Sequence, residues 1–309
     1  RAWVMVKLEK PQALDNLAAL RRCLGGADSQ RLEPLTRWTV QTLEQLEPLF
    51  LQRRRAGRVR ECHGDLHSGN IVRWRGRLVP FDCLEFEPQL RWIDTISDVA
   101  FLFMDLLARE RSDLAYTFLS AYLEHGGDYD GLRLLRFYAL YRALVRAKID
   151  ALALAERTGG AARSHRQHLD ARLRTAERLA APASAALVLM HGVTASGKSW
   201  LSEQLIAALR ALRVRSDLER KRLPAGQFMD TPHGRYCAAA TEATYTRLLE
   251  CAAGALHGGH CIVVDATFLD QSQRARFEAL AQQLHCPWLI VACTAPRATL
   301  LRRLAERAA

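Results

Sequence analysis

Hydrophobic and polar positions give the 309-residue chain two halves of different period. Up to about residue 180 apolar residues recur at intervals of three and four, the mark of amphipathic helices. Leu35, Trp38, Leu43, Leu46 and Phe50 place one long helix over 33–55, which Pro48 can bend and which ends in Arg53-Arg54-Arg55. Stripes over 99–107, 114–123 and 132–153 continue the helical pattern, with a turn at His125-Gly126-Gly127-Asp128. After Gly159-Gly160 a helix over 161–179 carries Arg and His on its polar side. Val4-Met5-Val6-Lys7 reads as a short strand with a surface lysine, and Leu78-Val79-Pro80-Phe81 as another. The run Ala181-Pro182-Ala183-Ser184-Ala185-Ala186 is a linker by composition, and beyond it the period changes. Short apolar runs at Leu187–Met190, Val214–Ser216, Cys261–Val264 and Trp288–Ala292 read as strands. They alternate with helices over 200–212, 238–256, 273–284 and 297–309, and a long loop passes through Pro224, Gly226, Pro232 and Gly234. Such alternation implies a parallel sheet with ligands at the strand C-terminal ends. The expected fold class is α/β: a mostly helical domain over 1–180, a linker over 181–186, and a parallel-sheet domain over 187–309.

Candidate chemistry begins where the first strand of the second half ends. Gly192-Val193-Thr194-Ala195-Ser196-Gly197-Lys198-Ser199 follows that strand and opens a helix, the setting that a phosphate-binding loop requires. The two glycines let the backbone fold tightly, so that its N–H groups and the positive end of the helix point at a polyphosphate. Lys198 would reach the β and γ phosphates of ATP, and Ser199 would hold Mg²⁺. Asp217 and Asp265 both fall at expected strand ends. Asp265 reads as the carboxylate that binds Mg²⁺ through water, and Asp217 as the base that takes a proton from the attacking hydroxyl. Helix capping is the ordinary alternative for both.

A second constellation lies in the helical half. His63-Gly64-Asp65-Leu66-His67-Ser68-Gly69-Asn70 is followed, one strand later, by Asp82. This is the catalytic-loop and metal-site spacing of the protein-kinase-like fold, where one carboxylate sits beside the acceptor hydroxyl while Asn and a second carboxylate offer hard oxygens to Mg²⁺. With its Gly after the His, the segment resembles the aminoglycoside phosphotransferase and choline kinase group, and Asp98-Val99-Ala100 resembles that group's downstream element. The resemblance implies Asp65 as catalytic base, Asn70 and Asp82 as metal ligands, and His63 and Asp98 as braces of the loop. Aromatic residues such as Phe101, Phe137 and Tyr138 read as core, and Arg142, Arg146 and Lys148 as a solvated helix face. Only 62 residues precede His63, too few for a nucleotide-covering N-terminal lobe. Together with the missing initiator Met, this leaves two expectations: a piece of a longer protein, or a degenerate kinase half.

The second half resembles the small P-loop kinases, among them gluconate kinase, the zeta-toxin group and the kinase domain of polynucleotide 5′-kinases. Asp217-Leu218-Glu219-Arg220 is similar to the D-x-x-R of the last of these, which implies that Arg220 steadies the acceptor side. Arg302 and Arg303 lie where such kinases begin the lid that brings arginines onto the transferring phosphate. Such kinases carry a fifth strand and a complete lid, and the expectation is that both are cut off here. Taken in order, the two halves resemble bacterial fusions of an aminoglycoside phosphotransferase-like domain with a P-loop kinase domain. The resemblance implies an ATP- and Mg²⁺-dependent phosphotransferase acting on a small hydroxylated acceptor.

Composition narrows the partners. The net charge of +11 invites nucleic acid. Yet residues 1–180 carry 29 basic and 23 acidic groups (+6) and the rest 15 and 10 (+5), so the charge is spread rather than gathered in one patch. No apolar run approaches the roughly 20 residues of a membrane span. The eight cysteines are scattered with no C-x-x-C pair, which fits a reduced, cytoplasmic setting better than a disulfide scaffold. Two rival functions stay open: a nucleotide-sensing module without phosphotransfer, and a kinase for polynucleotide 5′-hydroxyls.

Overall fold

Of the stripe read from the sequence, Leu35, Leu43 and Phe50 are buried along a 30-residue helix together with Leu32 and Leu49, while Trp38 and Leu46 are partly buried at its margin. That helix is α2 (Gly26–Arg55) of the computed structural model, which describes residues 4–85, 87–224 and 234–308. It is preceded by α1 (Val4–Cys23), so Val4-Met5-Val6-Lys7 is helical rather than a strand. The β-branched alternation there is too short to outweigh the helix-forming run that follows it. Next come the short strands β1 (Val59–Glu61), β2 (Ile71–Trp74), β3 (Arg77–Pro80) and β4 (Trp92–Asp94), and helix α3 (Thr95–Ala108). β1 pairs with β4 and β2 with β3, both antiparallel. After α4 (Ser112–Gly126) the chain continues as α5 (Leu132–Glu156) and α6 (Gly159–Ala180).

Contacts divide the chain into two compact units: residues 1–111 with 134–182, and residues 112–133 with 183–309. The division differs at one place from a single domain over 1–180, because α4 and the turn after it pack with the second half of the chain.

Within the first unit, buried Arg53 forks onto Asp94, with Nε and Nη2 at 2.7 and 2.8 Å from the two carboxylate oxygens. Asp94 also caps α3 by accepting the Ile96 N–H at 3.0 Å, so one carboxylate joins α2, β4 and α3. Arg31 reaches from α2 to Glu177 and Asp170 on α6.

The second unit is built on a parallel four-stranded sheet. Its elements are β5 (Leu187–His191), α7 (Lys198–Leu209), β6 (Ala211–Arg215), α8 (Ser216–Arg222), α9 (Ala238–His257), β7 (Cys261–Asp265), α10 (Gln271–Gln283), β8 (Trp288–Ala292) and α11 (Arg297–Ala308). The strand order is β6-β7-β5-β8, every pair parallel. Val188, Met190, Ala211 and Val263 form a core under it. The chain leaves β5 toward β6 on one side and later crosses to β8 on the other, which makes the C-terminal end of β5 the switch point where ligands bind in open sheets. The expected strand at Val214–Ser216 starts earlier, at Ala211. α7 ends on left-handed Arg210 (φ +50°) rather than on a glycine, so the sequence carried no stop signal there. Part of the loop expected through Gly226 and Pro232 lies outside the described residues. No helix among the described residues is long and apolar enough to cross a membrane.

α4 belongs to this unit through β6. Ser120 Oγ accepts the Arg213 N–H at 3.1 Å, and fully buried Tyr129 donates its hydroxyl to Arg213 O at 2.8 Å. On α9, Gly254 permits the approach, since a Cβ there would stand 2.7 Å from Tyr129 O.

Candidate active site

All four strands of the parallel sheet deliver their C-terminal ends to one cavity of about 1020 Å³. Residues 194–201 enter after β5, Arg215 to Asp217 after β6, Asp265 to Thr267 after β7, and Ala292 to Pro296 after β8. Lys198, Ser199, Asp217 and Asp265, which lie up to 67 positions apart in sequence, therefore line a single space.

The loop geometry follows from its glycines. Gly192 has φ +140°, and a Cβ there would stand 2.4 Å from Cys293 O, so the tight turn out of β5 admits no side chain. Gly192 N–H is held by Thr267 O at 3.1 Å, which ties the phosphate loop to the segment after β7. Lys198 is buried and folds back, its Nζ donating to Gly192 O at 2.9 Å and Val193 O at 2.8 Å. The N-terminus of α7 has Gly197 as its cap and no side-chain acceptor, leaving its first N–H groups for an anion. Ser196 Oγ is buried in the loop without a hydrogen-bond partner. An orphaned hydroxyl, an uncapped helix start and a folded-back lysine together fit a polyphosphate. Ser199 Oγ and the Asp265 carboxylate are hard oxygen donors in the same space and suit Mg²⁺.

Asp265 is 4% exposed and accepts from Ser202 Oγ at 3.3 Å. Ser202 Oγ also donates to Ser199 O at 3.0 Å. Behind them stands Arg213, itself buried, with Nη1 at 3.1 Å from Ser199 O and 3.3 Å from Ser202 Oγ. Its other side meets Glu124 of α4, Nε to Oε1 at 2.5 Å and Nη2 to Oε2 at 3.3 Å. A carboxylate from the middle of the chain thus holds the arginine that backs the start of α7. A lone Arg in a short strand gave no sequence signal of this role.

The remaining residues expected at the phosphate site divide. Val193, in the loop, is half-exposed and outside the cavity lining, and its carbonyl serves Lys198. Arg215 Nη2 holds Asp217 Oδ2 at 2.9 Å. Arg220 lies elsewhere, with Nη1 at 3.3 Å from Thr241 Oγ1 and its guanidinium over the Tyr236 ring. Arg302 is also outside the cavity, exposed and facing Glu306 at 3.9 Å. Its neighbour Arg303 lines the cavity instead and donates to Ala195 O at 3.0 Å. The helix α11 turns one residue of the pair inward and the other to solvent.

In the first unit, Asp65 lines a separate cavity of about 420 Å³ with Gln12, Asp15, Asn16, Arg142 and Lys148 around it and Phe101, Phe137, Tyr138 and Tyr141 as apolar wall. Asn70 Nδ2 donates to Asp65 Oδ2 at 3.1 Å, and His67 Nε2 lies 3.4 Å from the same oxygen. Burial pushes the Asp65 carboxyl up. The hydrogen bond and charge of His67, with Arg146 and Arg142, outweigh it and hold the pKa below the ordinary value. Asp98 accepts the N–H groups of His63 and Gly64, each at 3.0 Å, and His63 Nε2 meets Phe81 O at 2.9 Å. Asp82 is exposed in a left-handed conformation (φ +59°) and is not among the residues lining the cavity, although its neighbours Phe81 and Leu84 are pinned to Asn70 and His63. Arg142 corrects the expectation of a solvated face. It is buried, donates to Gly64 O at 3.1 Å and Ser97 Oγ at 3.3 Å, and lies 4.8 Å over the Phe101 ring.

The strand, glycine-cornered loop and buried strand-end aspartate of the second unit define a P-loop domain, the class for which nucleotide binding, usually with Mg²⁺, is expected. Residues 187–309 match the protein family described as an AAA domain. Over 303 aligned residues the chain is 31% identical to an uncharacterized protein of Mycobacterium bovis and to an uncharacterized protein of Mycobacterium tuberculosis. The alignments take in 95% of this chain and 59% of each relative, so the likeness runs through both units while the chain spans about three-fifths of the relatives' length.

Proposed function

We propose that the chain is an ATP- and Mg²⁺-dependent phosphotransferase that acts on a hydroxyl of a small molecule, with the nucleotide held at the P-loop. The observation that carries the reading is the shared cavity: an anion-binding loop, two hard oxygen donors and a further carboxylate face one space at the sheet's switch point. Lys198 and the α7 N-terminus receive the phosphates. Ser199 and Asp265 hold the cation, which when bound offsets charge on the phosphoryl oxygens. Asp217, steadied by Arg215, accepts the proton of the acceptor hydroxyl. Arg303 adds positive charge at the loop. Catalysis then rests on positioning and charge neutralisation rather than on a covalent enzyme intermediate.

The cavity of the first unit supports a second ligand of the same chemical class. Its polar residues offer both donors (Arg142, Lys148, Asn16) and acceptors (Asp65, Asp15) over an aromatic wall, the lining that suits a polyhydroxylated or amino-bearing small molecule. In an aminoglycoside phosphotransferase-like reading Asp65 is the base there, and Asn70 with Asp82, both outside the lining of this cavity, are the metal ligands.

The test is transfer of label from γ-labelled ATP to a panel of sugars, amino alcohols and aminoglycosides. Lys198→Ala is expected to abolish transfer and Asp217→Asn to lower kcat while sparing ATP binding. Tight ATP binding with no transfer to any hydroxyl compound would favour a nucleotide sensor instead. If Asp65→Asn leaves every activity intact, the first unit has no catalytic part.

A further inference from the structure

We propose that Asp150, His165 and His168 form a binding site for a divalent transition-metal ion of the Zn²⁺ class, separate from both cavities described above. The three residues sit on two helices of the first unit, Asp150 on α5 and the two histidines on α6. One ligand atom from each lies within 4.8 Å of the others. The His165-x-x-His168 spacing puts both rings on one side of α6.

The donor set is close to a coordination shell already. His165 Nδ1 is 2.9 Å from Asp150 Oδ1, and His168 Nδ1 is 4.0 Å from the same oxygen. In a tetrahedral zinc site with bonds of about 2.0–2.1 Å, neighbouring ligand atoms stand roughly 3.3 Å apart. The Asp150–His165 pair therefore needs little adjustment. His168 must move in, from 4.0 Å at Asp150 and from within 4.8 Å at His165, and its side chain, 54% exposed, has room to rotate.

Asp150 is the observation that separates this cluster from a chance meeting of surface groups. It is 5% exposed, and a carboxylate so deep calls for full pairing. Its Oδ2 accepts no hydrogen bond, although Arg172 Nη1 lies 3.2 Å away, and Arg172 Nε is likewise unpartnered. Arg172 orients the carboxylate from behind through Oδ2. Oδ1 is thereby left facing the two imidazoles, as a one-oxygen ligand with its second oxygen held by a neighbouring charge. Two imidazoles and one carboxylate select Zn²⁺, Cu²⁺ or Ni²⁺ over Mg²⁺ or Ca²⁺, and three protein ligands leave one coordination position for water. The guanidinium of Arg172, 3.2 Å from Asp150 Oδ2, moderates the affinity, since it repels a dication.

The experiment uses the 309-residue protein stripped with a chelator, dialysed against Zn²⁺, and assayed for bound metal beside His165→Ala and His168→Ala variants. The parent is expected to hold one more Zn²⁺ per chain than either variant, or to bind that ion at least about tenfold more tightly. Because His168 is half-exposed, its variant keeps the fold and decides the question if His165→Ala does not. Substitution by Co²⁺ supplies the second readout: visible d–d absorption without a thiolate charge-transfer band is expected, and that d–d absorption should be weakened or shifted in the variants. Equal zinc stoichiometry and affinity in parent and His168→Ala, no zinc bound by the parent, or a thiolate band showing that cysteines are the ligands would each overturn the proposal.

Discussion

Replacing Arg213 by Ala removes the cation that joins α4 to the start of the phosphate-binding helix. Arg213 is 7% exposed and makes four hydrogen bonds through its guanidinium, two to Glu124 and two to Ser199 O and Ser202 Oγ. Breaking a buried ion pair by deleting one partner costs about 3–5 kcal/mol, because the other charge is left unpaired in a poor solvent. Here the low end applies: Arg215 Nη1 stands 4.0 Å from Glu124 Oε2 and partly compensates. A loss of about 3 kcal/mol, at about 2–4 °C per kcal/mol for a unit of this size, lowers Tm by roughly 6–12 °C. The assay is calorimetry of the transition that ATP shifts, on the parent, Arg213→Ala, Glu124→Gln and the double variant. If the pair is the cause, the double variant loses less than the sum of the singles, by about 1–3 kcal/mol. An Arg213→Ala transition within about 1 °C of the parent, or strict additivity in the cycle, would refute the reasoning.

Other expectations follow from particular contacts. Arg303→Ala should weaken ATP binding by about tenfold, the equivalent of one charge-assisted hydrogen bond, while exposed Arg302→Ala changes it by less than about twofold; titration calorimetry separates them. Equal effects would mean that α11 does not present the two arginines differently. Asp65 and Asp105 set an acid limit on the first unit. Burial alone would raise the Asp105 carboxyl, but hydrogen bonds from Ser68 and the charge of Arg109 outweigh it, so both groups sit below their ordinary value of 3.8 in the folded chain. Their stabilisation is then fully present above about pH 4 and lost as pH falls through the lower folded values. Asp105→Asn should therefore cost more stability at pH 7 than at pH 3 in urea titrations. A cost independent of pH would contradict that assignment.

Which features could be read from the sequence depended on whether backbone geometry or tertiary company set them. The phosphate loop was legible because its turn excludes side chains at Gly192 and its helix must start at an uncapped end, demands that leave a fixed spacing of glycines. Asp265 was legible because a buried strand is an apolar run that a charged residue visibly ends. Arg213 and Arg142 were not, since a charge inside a strand or on a helix looks solvated until Glu124 or Gly64 and Phe101 are placed beside it. The same holds for α4, whose stripe showed an apolar face without showing that β6 would cover it. The choice between Arg302 and Arg303 turned on the rotation of one helix, which a two-residue motif does not record.

The most direct test of the central claim is calorimetric titration of MgATP into the parent beside Lys198→Ala and Asp82→Ala. The account predicts one nucleotide per chain at the P-loop, an affinity about ten- to a hundredfold weaker in Lys198→Ala, and no change in Asp82→Ala. Parent-like binding by Lys198→Ala, with the loss falling on Asp82→Ala, would place the nucleotide in the helical unit and contradict the account.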